Sequence, residues 1–149
     1  MNRLGGLIME VVAESLGLKR TFFSEQLCRD HHSSMILLHY PNIPEEDRAK
    51  VQPLGEHCDY GFVTMLIGTA RGLQAKNRDN EWIDVDPVPG CFVINIGDLL
   101  EKVTRGFYKS TPHRVVNYGN ERLSIPYFYS PGFDQKIFPL DFWTTREEK

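Results

Sequence analysis

Cysteine is scarce in this chain of 149 residues, and the few cysteines present lie far apart. Cys28, Cys58 and Cys91 are odd in number and widely spaced, which argues against a disulfide framework and against a cysteine-based zinc site. Free cysteines are usual in a reducing compartment. We therefore expect the protein to be cytoplasmic.

Long apolar runs and clustered positive charge are also missing. The uninterrupted apolar stretches, such as residues 35–38 and 65–67, fall far short of a membrane span, and the first residues lack the basic and apolar regions of a signal peptide. The net charge is −3, with no basic stripe. We therefore expect neither a membrane nor a nucleic acid as a partner.

Residues 1–32 have the apolar spacing of helices. A stripe at intervals of three and four residues predicts an amphipathic helix that ends near Gly17, and a second, shorter helix is expected over residues 22–29. We expect these helices to pack on the rest of the chain, and we expect self-association through any part of the stripe that stays uncovered. The stripe consists of Leu4, Leu7, Ile8, Val11, Val12 and Leu16.

Residues 33–149 show short strands separated by turn residues. A loop or short helical turn is expected over residues 42–51, and a short helix with Asp98 as its N-cap over residues 98–104. Many short strands at this spacing predict one mainly β domain, a sandwich or a barrel such as a jelly roll. The predicted strands cover residues 34–40, 54–58, 63–67, 73–76, 81–84, 91–96, 113–116 and 124–129.

Three side chains suit a metal ion. His57 and Asp59 are two residues apart, so in an extended segment they project from one face while Cys58 points away. With His113 far downstream, they would occupy one face of an octahedral iron(II) and leave three positions open. The same set also suits zinc with a bound water, and a histidine such as His113 can simply be a hydrogen-bonded loop residue, so the residues alone leave these alternatives open.

A second pair suits a carboxylate. Arg122 and Ser124 are also two residues apart, and a planar guanidinium beside a hydroxyl can bind a carboxylate through paired hydrogen bonds. The strand around them is apolar, so an inward-facing pair would be costly unless it met an anion. An ordinary surface or ion-pair arginine is the alternative.

Several stretches together resemble the 2-oxoglutarate- and iron(II)-dependent oxygenases, in particular the group similar to isopenicillin N synthase. They keep the order found in that family and extend over most of the predicted β domain. The resemblance implies a distorted double-stranded β-helix, a cupin-like jelly roll, with one or two N-terminal packing helices. The stretches are residues 54–66, 72–74, 82–85, 89–98, 108–116 and 121–125.

The resemblance also implies an activity. His57, Asp59 and His113 match the iron ligands of the family, and no catalytic residue beyond this metal site is implied. Oxygen and 2-oxoglutarate would be the co-substrates. A C–H bond of a small organic substrate would be oxidised, with release of succinate and carbon dioxide.

Four further positions match the family's binding residues. Arg122 and Ser124 correspond to the residues that bind the distal carboxylate of 2-oxoglutarate, and Tyr40 corresponds to a tyrosine that lines the co-substrate site. Phe128 corresponds to a position that often faces the organic substrate, although core packing is an equal alternative. Leu38 departs from the family, because many members carry an asparagine there that can contact the co-substrate.

Two alternatives to this function remain. An oxidase similar to isopenicillin N synthase would hold a substrate carboxylate on the arginine and serine and would consume no 2-oxoglutarate. Family members are considerably longer than this chain, and their N-terminal region has no counterpart in it. The second alternative is therefore a truncated, catalytically silent fragment that keeps the fold and acts as a binding module.

Overall fold

The computed structural model of the protein describes residues 1–51 and 53–140, with four helices and nine strands among them. The helices are α1 (Asn2–Ser15), α2 (Phe22–Gln26), α3 (Glu45–Arg48) and α4 (Asp98–Val103). The strands are β1 (His32–Met35), β2 (Leu38–Tyr40), β3 (Leu54–His57), β4 (Val63–Gly68), β5 (Leu73–Lys76), β6 (Trp82–Asp84), β7 (Val93–Ile96), β8 (His113–Val115) and β9 (Arg122–Ser130).

The strands form two antiparallel sheets. The larger sheet has the order β1-β9-β4-β7, with β2 also paired to β9, and the smaller sheet has the order β3-β8-β5-β6. Side chains from both sheets line one cavity, so the sheets enclose it. The prediction of a mainly β jelly roll is confirmed. The predicted boundary at residue 33 stays a prediction, and residues 141–149 of the predicted domain lie outside the described residues.

Strand β9 connects most of the larger sheet, because it pairs with β1, β2 and β4. Its side chains alternate between the two faces, as expected for a strand. Arg122 and Ser124 are buried and face the cavity, while Leu123 and Ile125 beside them are exposed on the outer face. The spacing of two residues therefore places the arginine and the serine on the same inner surface.

One strand prediction is wrong, because the predicted strand is interrupted in the structure. Residues 34–40 were expected as a single strand, but β1 and β2 are separate and pair with two parts of β9. The pairing register with β9 is the same before and after the interruption, since Met35 pairs with Tyr127 and Leu38 with Ser124. The ladder breaks opposite Pro126, because a proline has no N–H to donate to its neighbour.

Two helix predictions also need correction. Asp98 is the first residue of α4 rather than its N-cap, which is Gly97. The backbone N–H of Asp98 donates instead to the carbonyl oxygen of Asp59, at 2.8 Å. The second helix ends at Gln26, earlier than expected, whereas the helical turn predicted within residues 42–51 is present as α3.

Helices α1, α2 and α4 pack on the larger sheet and cover part of its outer face. Phe23 of α2 contacts Phe62 edge-to-face, with ring centroids 5.7 Å apart. Most of the α1 stripe is covered by this core, but Leu7 and Val11 remain exposed. None of the described helices is long and apolar enough to span a bilayer. The buried core includes Met9, Val12, Ala13, Leu16, Phe23, Phe62, Val63, Met65, Leu100, Val103, Tyr127 and Tyr129.

Gly97 lies where two segments come closest, and we expect Gly97→Ala to be strongly destabilising. A Cβ there would overlap the carbonyl oxygen of Gly61 and lie 3.0 Å from that of Asp59. Overpacking of this kind costs about 1–3 kcal/mol of the free energy of unfolding, measured by urea denaturation. Gly6→Ala is the matched control, because Gly6 has open space around it and alanine favours the helix. Equal stability of the two variants would contradict this packing.

Candidate functional site

His57, Asp59 and His113 come together at one end of the cavity. His57 ends β3, His113 begins β8, and the two are directly paired across the smaller sheet. Asp59 follows two residues after His57, and the nearest carboxylate oxygen lies 3.9 Å from Nε2 of His57 and 3.6 Å from Nε2 of His113. One ligand atom from each residue lies within 4.8 Å of the others, a group that could hold a metal ion.

The two histidines are held in the tautomer that a metal requires. Nδ1 of His57 lies 2.9 Å from the carbonyl oxygen of Gly55, and Nδ1 of His113 lies 2.9 Å from that of Thr111. A carbonyl oxygen only accepts, so each Nδ1 carries the proton and donates. In the neutral imidazole, the free lone pair is therefore on Nε2, the atom that faces Asp59. This is the usual outer-shell support of a metal-binding imidazole.

Asp59 is buried and is fixed from two sides. Its carbonyl oxygen accepts from the N–H of Asp98 at the start of α4, and the neighbouring carbonyl of Tyr60 accepts from Leu99. The side-chain amide of Asn95 donates to the second carboxylate oxygen of Asp59, at 3.4 Å. The first carboxylate oxygen is thereby left to face the histidines. The loop after β3 and the start of α4 together determine the position of the carboxylate.

Asn95 is a site residue that the sequence did not identify, and we expect Asn95→Ala to weaken metal binding. Loss of an outer-shell hydrogen bond to a metal ligand lowers affinity about tenfold to a hundredfold. Calorimetric titration with metal would measure the change. Asn120→Ala is the control, since the Asn120 amide donates to the carbonyl oxygen of Glu121, away from the cluster. Unchanged affinity in Asn95→Ala would remove its role in orienting Asp59.

Arg122 lies in the same cavity and is a buried cation. It is 3% exposed, and it forms no ion pair with any described residue. Its Nε donates to the carbonyl oxygen of Ala70 at 3.2 Å, while its Nη1 is buried and has no hydrogen-bond partner within residues 1–51 and 53–140. Burial lowers the pKa of Arg122 below its usual value, an effect that the adjacent Tyr40 partly opposes. An arginine nevertheless remains charged, so this site favours an anion.

Two glycines make room for the Arg122 side chain. A Cβ on Gly72 would lie 3.1 Å from Cδ of Arg122, and Gly72 has a φ of 142°, which other residues rarely adopt. A Cβ on Gly68 would lie 3.5 Å from Nη2. The arginine is therefore packed between backbone segments rather than extended into solvent. The sequence contained a signal for this, because Gly72 belongs to one of the motif stretches, but its contact with Arg122 spans 50 residues.

The remaining predicted site residues line the same cavity. Tyr40 is paired with Arg122 across β2 and β9, and its ring centroid lies 5.2 Å from the guanidinium carbon. Ser124 is buried beside Leu38, its partner in the register, so an apolar side chain occupies the position at which the sequence departs from the family's asparagine. Phe128 is half-buried and also lines the cavity.

The comparisons with known proteins agree with this geometry. The family model described as the 2OG-Fe(II) oxygenase superfamily matches residues 31–131. Homoarginine-6-hydroxylase 2-ODD-C23 of Glycine max is 39% identical over 146 residues, which cover 93% of this chain and 44% of that protein. The chain spans less than half the length of the curated relatives that it matches, between 36% and 44% for eight of them.

Solved structures give the same result for the fold. A full-length Neurospora crassa protein, in complex with alpha-KG and thymine, superposes with a TM-score of 0.88 at 31% identity, covering 94% of this chain and 45% of that one. JOX2, in complex with 2OG, Fe and JA, superposes with a TM-score of 0.85 at 36% identity, covering 93% of this chain and 41% of that one. The double-stranded β-helix is thus confirmed. Since the family model spans more than half of the sequence, the chain belongs to the 2OG-Fe(II) oxygenase superfamily.

Proposed function

We propose that this chain binds iron(II) and 2-oxoglutarate and supports the oxidation of a C–H bond in a small organic substrate. The observation that carries the proposal is the buried, unpaired Nη1 of Arg122 in the cavity whose other end holds the His57, Asp59 and His113 cluster. One molecule with a carboxylate at one end and a metal-chelating group at the other would satisfy both. 2-Oxoglutarate has this form.

His57, Asp59 and His113 would hold the iron. Two neutral imidazoles and one carboxylate on a single face are typical of non-haem iron(II) sites with open positions. The donated Nδ1 protons keep both Nε2 atoms free for the metal, and the Asn95 amide keeps one carboxylate oxygen directed at them. These side chains are therefore preorganised, and little rearrangement is required when a metal binds.

Arg122 and Ser124 would bind the distal carboxylate of 2-oxoglutarate. The guanidinium supplies a charged donor that is already desolvated, so an entering carboxylate gains a strong, charge-assisted hydrogen bond without a further cost of burying the cation. The walls of this cavity are mainly apolar. They include Leu38, Leu54, Leu66, Leu73, Val115 and Pro126.

When bound, iron(II) and 2-oxoglutarate activate dioxygen, and the 2-oxo acid is oxidised to succinate and carbon dioxide as the substrate is oxidised. The protein residues position these partners and supply the electrostatic environment. Relatives named as 2-oxoglutarate-dependent dioxygenases favour this function over an oxidase that consumes no 2-oxoglutarate. The complete metal cluster and anchor argue against a silent binding module.

Thymine and JA are named in the complexes of two structural neighbours, and both support a small-molecule substrate for this chain. Phe128 would face that substrate, because it lines the cavity next to the metal cluster. The experiment is an assay of succinate formed from 2-oxoglutarate with and without iron(II). Iron-dependent succinate is the expected result. Binding of 2-oxoglutarate without turnover would instead favour the silent module.

We also propose that the chain self-associates. The α1 stripe was the expected surface, but only part of it remains exposed; a larger apolar group lies on the outer face of the larger sheet, where Ile67 pairs with Ile125. Sedimentation at several protein concentrations would measure the association. A monodisperse monomer would argue against it.

We also propose that the protein is located in the cytoplasm. The three free cysteines support this location, because free cysteines are usual in a reducing compartment. Cell fractionation would test it.

A further inference from the structure

A second cavity, of about 160 Å³, lies behind the carboxylate anchor. It is formed mainly by the segment that follows β2 and by the loop between β8 and β9, with apolar walls that include Ile43, Val51 and Pro53. Its lining shares three residues with the co-substrate cavity, namely Tyr40, Val115 and Arg122. These three side chains therefore form the wall that divides the two cavities.

The second cavity suits a carboxylate as well as an apolar chain. None of the described residues that line it is acidic. The side-chain nitrogen of Asn117, one of the lining residues, is buried without a hydrogen-bond partner, while its oxygen accepts from the N–H of Gly119 at 2.7 Å. The unpaired Nη1 of Arg122 belongs to the wall itself. A carboxylate that passed the wall would therefore meet two donors that have no other acceptor among the described residues.

Tyr40 is the part of the wall whose removal would join the cavities. Arg122 serves as the anchor, and Val115 is a buried strand residue paired with Leu54 and Leu73. Tyr40 instead belongs to the short strand β2 and is only half-buried, with its ring against the guanidinium of Arg122.

We propose that Tyr40 sets the maximum length of the 2-oxo diacid that the site accepts, and that removal of its ring opens the space behind it to longer diacids. The inference rests on the proposed function, because it assumes that Arg122 binds the distal carboxylate. A diacid one methylene longer than 2-oxoglutarate cannot place both ends correctly in the unmutated site. Without the ring, its distal end can extend past Arg122 toward Asn117.

The test compares the dissociation constants of 2-oxoglutarate and 2-oxoadipate by calorimetry on the iron(II)-loaded chain without oxygen. In Tyr40→Ala, the ratio of the 2-oxoadipate constant to the 2-oxoglutarate constant should fall about tenfold to a hundredfold, as expected when an overpacking cost is relieved. Tyr40→Phe keeps the ring and should keep the ratio. Ile43→Ala enlarges the second cavity without opening the wall and should also keep it.

Three outcomes would overturn the inference. An unchanged ratio in Tyr40→Ala would show that the ring does not limit length, and equal affinity of the unmutated chain for both acids would show the same. Absence of any 2-oxoglutarate binding by the unmutated, iron-loaded chain would refute the proposed function together with the inference. If Tyr40→Ala does not melt cooperatively, Tyr40→Leu removes most of the ring with less loss of packing, and a fall in the ratio is expected there too.

Discussion

Loss of Asp59 should abolish stoichiometric iron(II) binding. Asp59 is buried, and its carboxylate lies within 4 Å of both histidine Nε2 atoms, so Asp59→Ala removes the only carboxylate ligand of the group. Even loss of an outer-shell partner lowers metal affinity about tenfold to a hundredfold, and loss of a ligand should exceed a hundredfold. His57→Ala and His113→Ala should have effects of the same order, measured by anaerobic calorimetry with iron(II).

Cys58→Ala is the matched control for the metal site. Cys58 lies between His57 and Asp59 in the sequence, but it is not among the residues that line the cavity. Its removal should leave the iron affinity nearly unchanged. If Cys58→Ala lost iron while His57→Ala kept it, the assignment of the faces of this segment would be wrong, and with it the metal site.

Replacement of Arg122 by lysine should weaken 2-oxoglutarate binding about tenfold to a hundredfold. Lysine keeps the charge but loses the planar fork, and a hydrogen bond to a charged group contributes about 1.5–3 kcal/mol, at about 1.4 kcal/mol per factor of ten. Iron binding should barely change, because Arg122 is not one of the residues that would hold the metal. Ser124→Ala should have a smaller effect, since it removes a neutral hydroxyl.

Arg114→Lys is the control for the anchor. Arg114 is next to His113 in β8, but its guanidinium lies 4.1 Å from the Trp82 ring and donates to Gln74. The same substitution there should leave both affinities unchanged. An unaltered 2-oxoglutarate affinity in Arg122→Lys, measured in the same anaerobic titration, would remove the anchor role and favour an acid bound elsewhere.

Local spacing was sufficient to predict the faces of the site. His57 with Asp59, and Arg122 with Ser124, are each two residues apart, and the strand period alone places each pair on one surface. These pairs lie close to His113 and Tyr40 because of the order of the strands in the two sheets. That order could not be predicted from the spacing of the residues. The resemblance to a known family supplied that part, and the two sheets now account for it.

Other features depend on contacts between distant parts of the chain, which no local pattern reveals. Asn95 lies in an apolar stretch and its role follows only from its proximity to Asp59. The carbonyl oxygen of Ala70 becomes the partner of Arg122 across 52 positions. The break between β1 and β2 is caused by Pro126 in a strand that pairs with both. In each case the sequence shows the residue, but it does not show which distant residue lies next to it in the fold.

The most direct test of the account is an anaerobic titration of the iron(II)-loaded chain with 2-oxoglutarate, followed by the visible charge-transfer absorption of the iron-bound 2-oxo acid. We expect a band that saturates at one equivalent in the unmutated chain and does not form in Asp59→Ala. In Arg122→Lys it should saturate only at about tenfold to a hundredfold higher concentration. A chain that binds iron but gives no band at any 2-oxoglutarate concentration would contradict the claim that one molecule connects the metal cluster with the anchor.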